Sequence, residues 1–225
     1  DYDGDHIRVV ENGFDEDAFA VAESRIRLRP AAAPAPGRRL TLLHSGVIYP
    51  SERDPTCLFD ALASLRSAGD PAAGRLELKL RASGNDALLQ RMIKERQIED
   101  IVQLEPAIDY VSALEEMLTV DGLLILQASN CNAQVPAKIY EYFRAGRPIV
   151  ALTDPAGDTA ATLERAGAGL ISTLDSVDGI TAALREFVQR TDAHQWAPMS
   201  ASSADQYSRE HRTAEIAEIF DGLQS

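Results

Sequence analysis

Residues 130–152 read NCNAQVPAKIYEYFRAGRPIVAL. The order is loop, helix, tight turn, strand. Pro136 suits the first turn of a helix, where its missing N–H leaves no bond unmade. Val135, Ile139 and Phe143 recur every four residues and form one apolar stripe. Lys138, Glu141 and Tyr142 fall on another side of the same helix. Gly146 is placed as a C-cap glycine, and Pro148 prevents the helix from resuming. Ile149 to Leu152 then make a short, wholly apolar strand of the kind buried in a parallel sheet. A carboxylate and an ammonium one turn apart, near a helix N-terminus, can hold a polar ligand that carries phosphate. An ordinary surface ion pair is the other reading of the same two residues.

The segment before it repeats the theme. Leu123 to Leu126 is fully apolar, the expected centre of a sheet, and it delivers the chain to Gln127–Asn130 at its carboxyl end. Ligands sit at that end in open parallel sheets. Leu40 to His44 is the first clear buried strand, and Ser45-Gly46 follows it; a glycine there lets backbone amides approach a phosphate. A helix is expected from Thr56 to Ser67, with Pro55 at its start. Leu76, Leu78 and Leu80 alternate with charged residues, the pattern of a half-exposed strand. A helix through Leu88, Leu89, Met92 and Ile93 precedes a short strand, Ile101 to Leu104. Asp109 caps a helix whose apolar face is Val111, Leu114, Met117 and Leu118.

Downstream, a loop from Asp154 to Asp158 leads to a helix ending at Ala166, then a strand over Leu170–Ser172. A helix over 175–190 and a last helix over 204–223 close the chain, the latter with Ile216, Ile219, Phe220 and Leu223 at helical spacing. Strand then helix, repeated about six times, predicts an α/β fold: a doubly wound, Rossmann-like parallel sheet. The domain reading is a linker and N-terminal extension over 1–38, a Rossmann-like domain over 39–200, and a C-terminal helix packing across it over 201–225. The Pro- and Ala-rich run before Arg38 reads as an extended linker. No GxGxxG follows the first strand, and no acidic residue sits at the spacing of a ribose anchor, which disfavours a nicotinamide dehydrogenase.

Composition narrows the function. With 35 acidic against 22 basic residues the formal net charge is -13, which argues against nucleic-acid binding. A small anion held by a few placed cations stays open. Two cysteines, Cys57 and Cys131, in no CxxC spacing, point to a reducing compartment rather than a disulfide framework. Four scattered histidines give no metal motif, so no metal and no cofactor are expected. No apolar run approaches the ~20 residues of a membrane span. The chain starts without Met and reads as an excised piece of something longer.

PAKIYEYFRAGRPIVAL resembles the donor-site segment of GT-B glycosyltransferases, especially the retaining family 4 group, whose Glu-x7-Glu motif precedes a small-Gly-x-Pro turn and a strand. Glu141 stands where the second Glu falls; Ala133 stands where the first should be. Val9, Val10, Asn12, Gly13, Phe14, Asp15 and Phe19 match a phrase found at the junction of the two GT-B domains, although a surface loop would also accommodate them. The resemblance spans Val9 to about Phe220, the C-terminal, donor-binding half.

That resemblance implies a nucleoside-diphosphate sugar as substrate. Glu141 would accept from the ribose hydroxyls, and Gly46 with the backbone of Val135, Pro136 and Ala137 would face the diphosphate. Arg53 and Lys138 would supply positive charge to the leaving group as the catalytic pair. The nucleobase would lie against Pro106 to Ile108. With Ala133 in the first Glu slot, Asn130, Asn132 and Gln134 are the candidates for the sugar hydroxyls. The implied partner is an acceptor domain preceding this one, without which the piece should bind nucleotide but transfer sugar poorly. A cytoplasmic location follows from the family's usual work in polysaccharide assembly, with any contact to the inner membrane face made mostly by the other half. Ala133 also keeps open a catalytically inactive scaffold. An epimerase of the same fold is disfavoured, because no self-contained acid–base set is visible.

Overall fold

The computed structural model describes residues 7–28, 37–197 and 199–222. Six strands form one sheet: β1 (Leu40–Ser45), β2 (Leu76–Arg81), β3 (Val102–Glu105), β4 (Gly122–Leu126), β5 (Ile149–Leu152) and β6 (Leu170–Ser172). Their order is β3-β2-β1-β4-β5-β6, and every pairing is parallel. The order reverses between β1 and β4, so the loops after these two strands diverge and leave a crevice at their carboxyl ends. The doubly wound sheet expected from the sequence is therefore present.

Both faces are covered, and the strands show why. In β1, Leu40 and Leu42 face one layer while Leu43 faces the other. β4 and β5 are buried at every position, as strands covered on both faces must be. One layer holds α2 (Thr56–Ser67), α3 (Pro71–Arg75), α4 (Asp86–Glu95) and α8 (Val177–Asp192). The other holds α1 (Glu16–Arg27), α5 (Tyr110–Thr119), α6 (Lys138–Ala145), α7 (Asp158–Arg165) and α9 (Ala201–Asp205). Phe59, Leu62 and Phe187 anchor the first; Phe14, Phe19 and Phe143 anchor the second. Full burial of each such side chain contributes roughly 1.5–3 kcal/mol.

Three local readings change. The first concerns α6, which begins at Lys138 rather than in the turn of Pro136: Pro136 C=O accepts from Ile139 N–H at 2.9 Å, a tighter turn that opens the helix two residues later. Gly146 ends it in the left-handed region, as the spacing required. The second is α1, within what the sequence offered only as linker and extension. Asp15 caps it by accepting from Ala18 N–H at 3.0 Å, and Phe19 and Ala22 are buried against α5. The third is the last helix, which is broken into α9 and α10 (Arg209–Gly222) where Ser208 bridges to Phe14. What packs inward there is Ala204 and Tyr207; on α10, Ile216 and Phe220 are exposed. The Pro/Ala-rich run over 29–36 and Leu223 lie outside the described residues. No described helix is long and apolar enough to cross a membrane.

Candidate functional site

The crevice between β1 and β4 is where the predicted residues meet. β1 ends at Ser45, and Gly46 carries the chain onward with φ +130, a conformation open to glycine alone. Its N–H donates to Arg81 C=O at 2.9 Å, which keeps the turn tight against β2. A Cβ on Gly46 would stand 2.8 Å from Lys138 Nζ. Lys138, the first residue of α6, reaches across the crevice and donates to Ser45 C=O at 2.6 Å. Tyr142, one turn on, accepts from Ser45 N–H at 3.4 Å. Two side chains of α6 thus pin the end of β1.

The same place gathers positive charge. Arg53 sits in the β1–α2 loop, its guanidinium 5.3 Å from the centre of the Tyr49 ring and donating to Val47 C=O at 2.6 Å. Burial first, and then the Arg53 charge, lower the Lys138 ammonium to about 7; Glu141 pulls weakly the other way. His44 is 1% exposed and its Nδ1 lies 3.0 Å from Leu124 C=O, which makes Nδ1 the protonated nitrogen. Its Nε2 is buried without a partner. Burial, then Lys138, hold this imidazole neutral far below the usual histidine range.

Glu141 stands one turn from Lys138, and the ion pair that spacing allowed is not formed. Its Oε1 accepts from Tyr110 O–H at 2.8 Å. Burial raises its carboxyl above the usual range, against the pull of that hydrogen bond. Tyr110, with Ile108, is exposed beside Pro106. Pro106 C=O is itself held, accepting from Arg81 Nη1 at 2.7 Å while Glu116 grips Arg81 at 2.8 and 2.7 Å. The cradle therefore pairs a basic floor with a carboxylate and an apolar rim.

The remaining predicted residues lie around this point, and not all of them face it. The N-terminus of α6, at Ala137, carries no side-chain cap; Val135 and Pro136 approach it half-buried. Asn130 is exposed and donates to Ser51 C=O at 3.0 Å, tying the β4–α6 loop to the β1–α2 loop. Asn132 turns away to the β5–α7 loop: its amide donates to Asp154 at 2.7 Å and its Oδ1 is buried without a partner. Ala133 opens, with Val135, on a 420 Å³ groove shared with Val9, Glu11 and Tyr140.

Four contributors escaped the sequence reading: Tyr110, His44, Arg81 and Gln127. Gln127 is buried and donates to Cys131 C=O at 3.0 Å and Gln134 C=O at 2.9 Å, so it shapes the β4–α6 loop. Only its place at the carboxyl end of a central strand marked it beforehand. A second cavity of 330 Å³ lies across that loop, bordered by Asp54, Asp154 and Asp175. Three carboxylates without a cation at its wall suit no phosphate. Among the described residues no group of His, Cys, Asp or Glu is placed to hold a metal ion.

A desolvated ammonium, an arginine and an open helix N-terminus can hold an anion. Glu141 one turn on can accept from vicinal hydroxyls. No family model and no curated protein matches the chain. Solved structures do. HepE from Anabaena, with UDP-glucose bound, superposes with a TM-score of 0.68 at 18% identity, over 96% of this chain and 57% of its own. Sucrose-phosphate synthase from Thermosynechococcus elongatus gives 0.66 at 14% identity, over 96% and 52%. The lipopolysaccharide outer core galactosyltransferase WaaB, in its apo form, gives 0.64 at 16% identity, over 98% and 57%. The chain spans about half the length of the structures it matches. From strand order, cradle and these superpositions together, this chain has the fold of a C-terminal-type GT-B glycosyltransferase domain.

Proposed function

We propose that the chain is the donor-binding half of a glycosyltransferase, which moves a sugar from a nucleoside-diphosphate sugar to an acceptor hydroxyl. The observation that carries this reading is the meeting of Gly46, Lys138 and Arg53 at one crevice, with Glu141 one turn along α6. Glu141 accepts from the ribose hydroxyls, and Tyr110 orients its carboxylate. The base lies against Pro106 and Ile108. The diphosphate faces Gly46 and the uncapped start of α6 at Ala137.

As the bond between sugar and leaving oxygen breaks, charge grows on that diphosphate. Lys138 and Arg53 meet it there, each good donor lowering the barrier by about 3–4 kcal/mol. Of the two asparagines, Asn130 is better placed for a sugar hydroxyl, because it is exposed while Asn132 turns away to Asp154. The acceptor site comes from a second domain, so this piece alone binds donor and transfers sugar poorly. The reaction uses no metal, and its setting is cytoplasmic glycan or polysaccharide assembly.

Ala133 favours a second reading, a scaffold that has lost catalysis, because the slot of the first motif Glu holds no carboxylate and opens on a groove toward Val9 and Glu11. Calorimetric titration with UDP, GDP, dTDP and ADP separates the two. One nucleotide is expected to bind near micromolar strength, and Glu141→Ala to weaken it by at least ~10-fold, about 1.4 kcal/mol. A folded chain that binds none of the four overturns the donor reading and leaves the scaffold.

A further inference from the structure

The ammonium of Lys138 is poorly provided for. It has three N–H donors to place, and its hydrogen bond is to Ser45 C=O at 2.6 Å. The charged and titratable groups around it come from four elements. From β1, the His44 imidazole is neutral and committed through Nδ1 to Leu124 C=O. From the β1–α2 loop, Arg53 repels it. From α6 itself, Glu141 attracts it but is turned to Tyr110, and the Tyr142 hydroxyl is taken up with Ser45 N–H. From α5, Tyr110 acts only through Glu141. The cradle thus has donors for an anion, and no carboxylate bonded to its lysine.

We infer that the cradle takes up a proton from solvent when a diphosphate enters, and that the proton settles on Lys138 Nζ. The inference rests on the donor-site reading and deepens it. One N–H bond forms, the proton comes from water or buffer, and the new ammonium pairs with the phosphate oxygens. In the free protein burial and Arg53 hold this group at about 7. The opposite charge of a bound dianion outweighs both effects and raises it. From about pH 7 upward affinity then falls by up to ~10-fold per pH unit, and below that it is flat. Free nucleoside diphosphate carries more charge than its sugar ester, so the product draws the proton more fully than the donor.

The chain has only three lysines, Lys79, Lys94 and Lys138, so carbon-13 NMR of the lysine ε-carbons resolves the group, with Lys138→Arg giving the assignment. In the ligand-free chain a midpoint of about 7 is expected, moving upward with UDP or inorganic pyrophosphate. Calorimetry at pH 8 in Tris and in HEPES should give heats that differ by about one proton per site. In Lys138→Arg the difference should vanish. A ligand-free midpoint in the ordinary lysine range overturns the inference and leaves the donor site standing, as do equal heats in the two buffers. Uptake that persists in Lys138→Arg overturns the assignment to this nitrogen. A folded chain that binds neither UDP nor pyrophosphate overturns inference and donor site together.

Discussion

Lys138 is carried at some expense to the fold. Its folded-state pKa lies near 7, below that of the unfolded chain. Between those two values the unfolded chain binds the extra proton, so stability rises as pH rises through this window, and below about 7 the whole penalty stands. Lys138→Met should therefore be more stable than the parent at pH 7, by on the order of 2 kcal/mol. The gain should shrink toward pH 10, as the pH nears the lysine's unfolded-state pKa and little charge is left for folding to remove. Urea melts at the two pH values check this, and a destabilised variant at pH 7 would contradict it. The roles of Lys138 and Glu141 as a pair on one helix face were legible from their spacing. Their separate partners were not, because Tyr110 lies 31 residues before Glu141 and Ser45 lies 93 before Lys138. Periodicity describes one element and is silent on what stands opposite. His44 was hidden for a related reason: a polar residue ending an apolar strand looks the same whether its nitrogens are paired or not.

At the scale of elements, α1 is the instructive case. Phe19 is fully buried, meets Phe14 edge-on at 5.8 Å and carries the Arg144 guanidinium at 5.0 Å. Arg144 in turn holds Glu16 at 2.6 and 2.7 Å, so α1 is clasped to α6, the helix that carries the cradle. Phe19→Ala should cost about 3–5 kcal/mol in a urea unfolding experiment; a loss under 1 kcal/mol would mean that α1 is dispensable to the core. The helix had its signals in the sequence: Asp15 at the cap, Glu16 and Asp17 in the first turn, Arg25 and Arg27 in the last. They were outweighed by the Pro/Ala-rich run just after, which colours the composition of the whole segment. The strands β1, β4, β5 and β6 were plain, because apolar runs bounded by Gly, Pro and Asp have few other uses, and β2 declared itself by its alternation.

For the molecule as a whole, the early and late parts of the chain are joined at one seam. Phe14 N–H donates to Tyr207 C=O at 3.1 Å and Arg209 N–H to Phe14 C=O at 2.8 Å. Gly13 makes the approach possible, since a Cβ there would fall 2.7 Å from Tyr207 O and 2.9 Å from Arg209 N. Gly13→Ala should open this seam at a cost of about 1–3 kcal/mol. Hydrogen exchange should accelerate at the Phe14 and Arg209 amides while the β4 amides keep their protection; unchanged exchange at both would refute the assignment. A parallel pairing of residues nearly 200 positions apart leaves no local trace in a sequence. That the sheet is parallel and doubly wound, by contrast, followed from the alternation of elements.

The basic floor of the crevice belongs to a molecule whose formal net charge is -13. Beyond a Debye length, about 8 Å at physiological salt, an approaching anion meets only screened repulsion. Inside that distance the sign reverses, and Lys138 and Arg53 govern the last step. Encounter and capture are thus opposed. A small phosphate ester can cross the outer field and profit from the inner one. A long polyanion keeps most of its charge outside and meets repulsion along nearly all its length, so the crevice sorts its ligands by size through electrostatics before any hydroxyl is recognised.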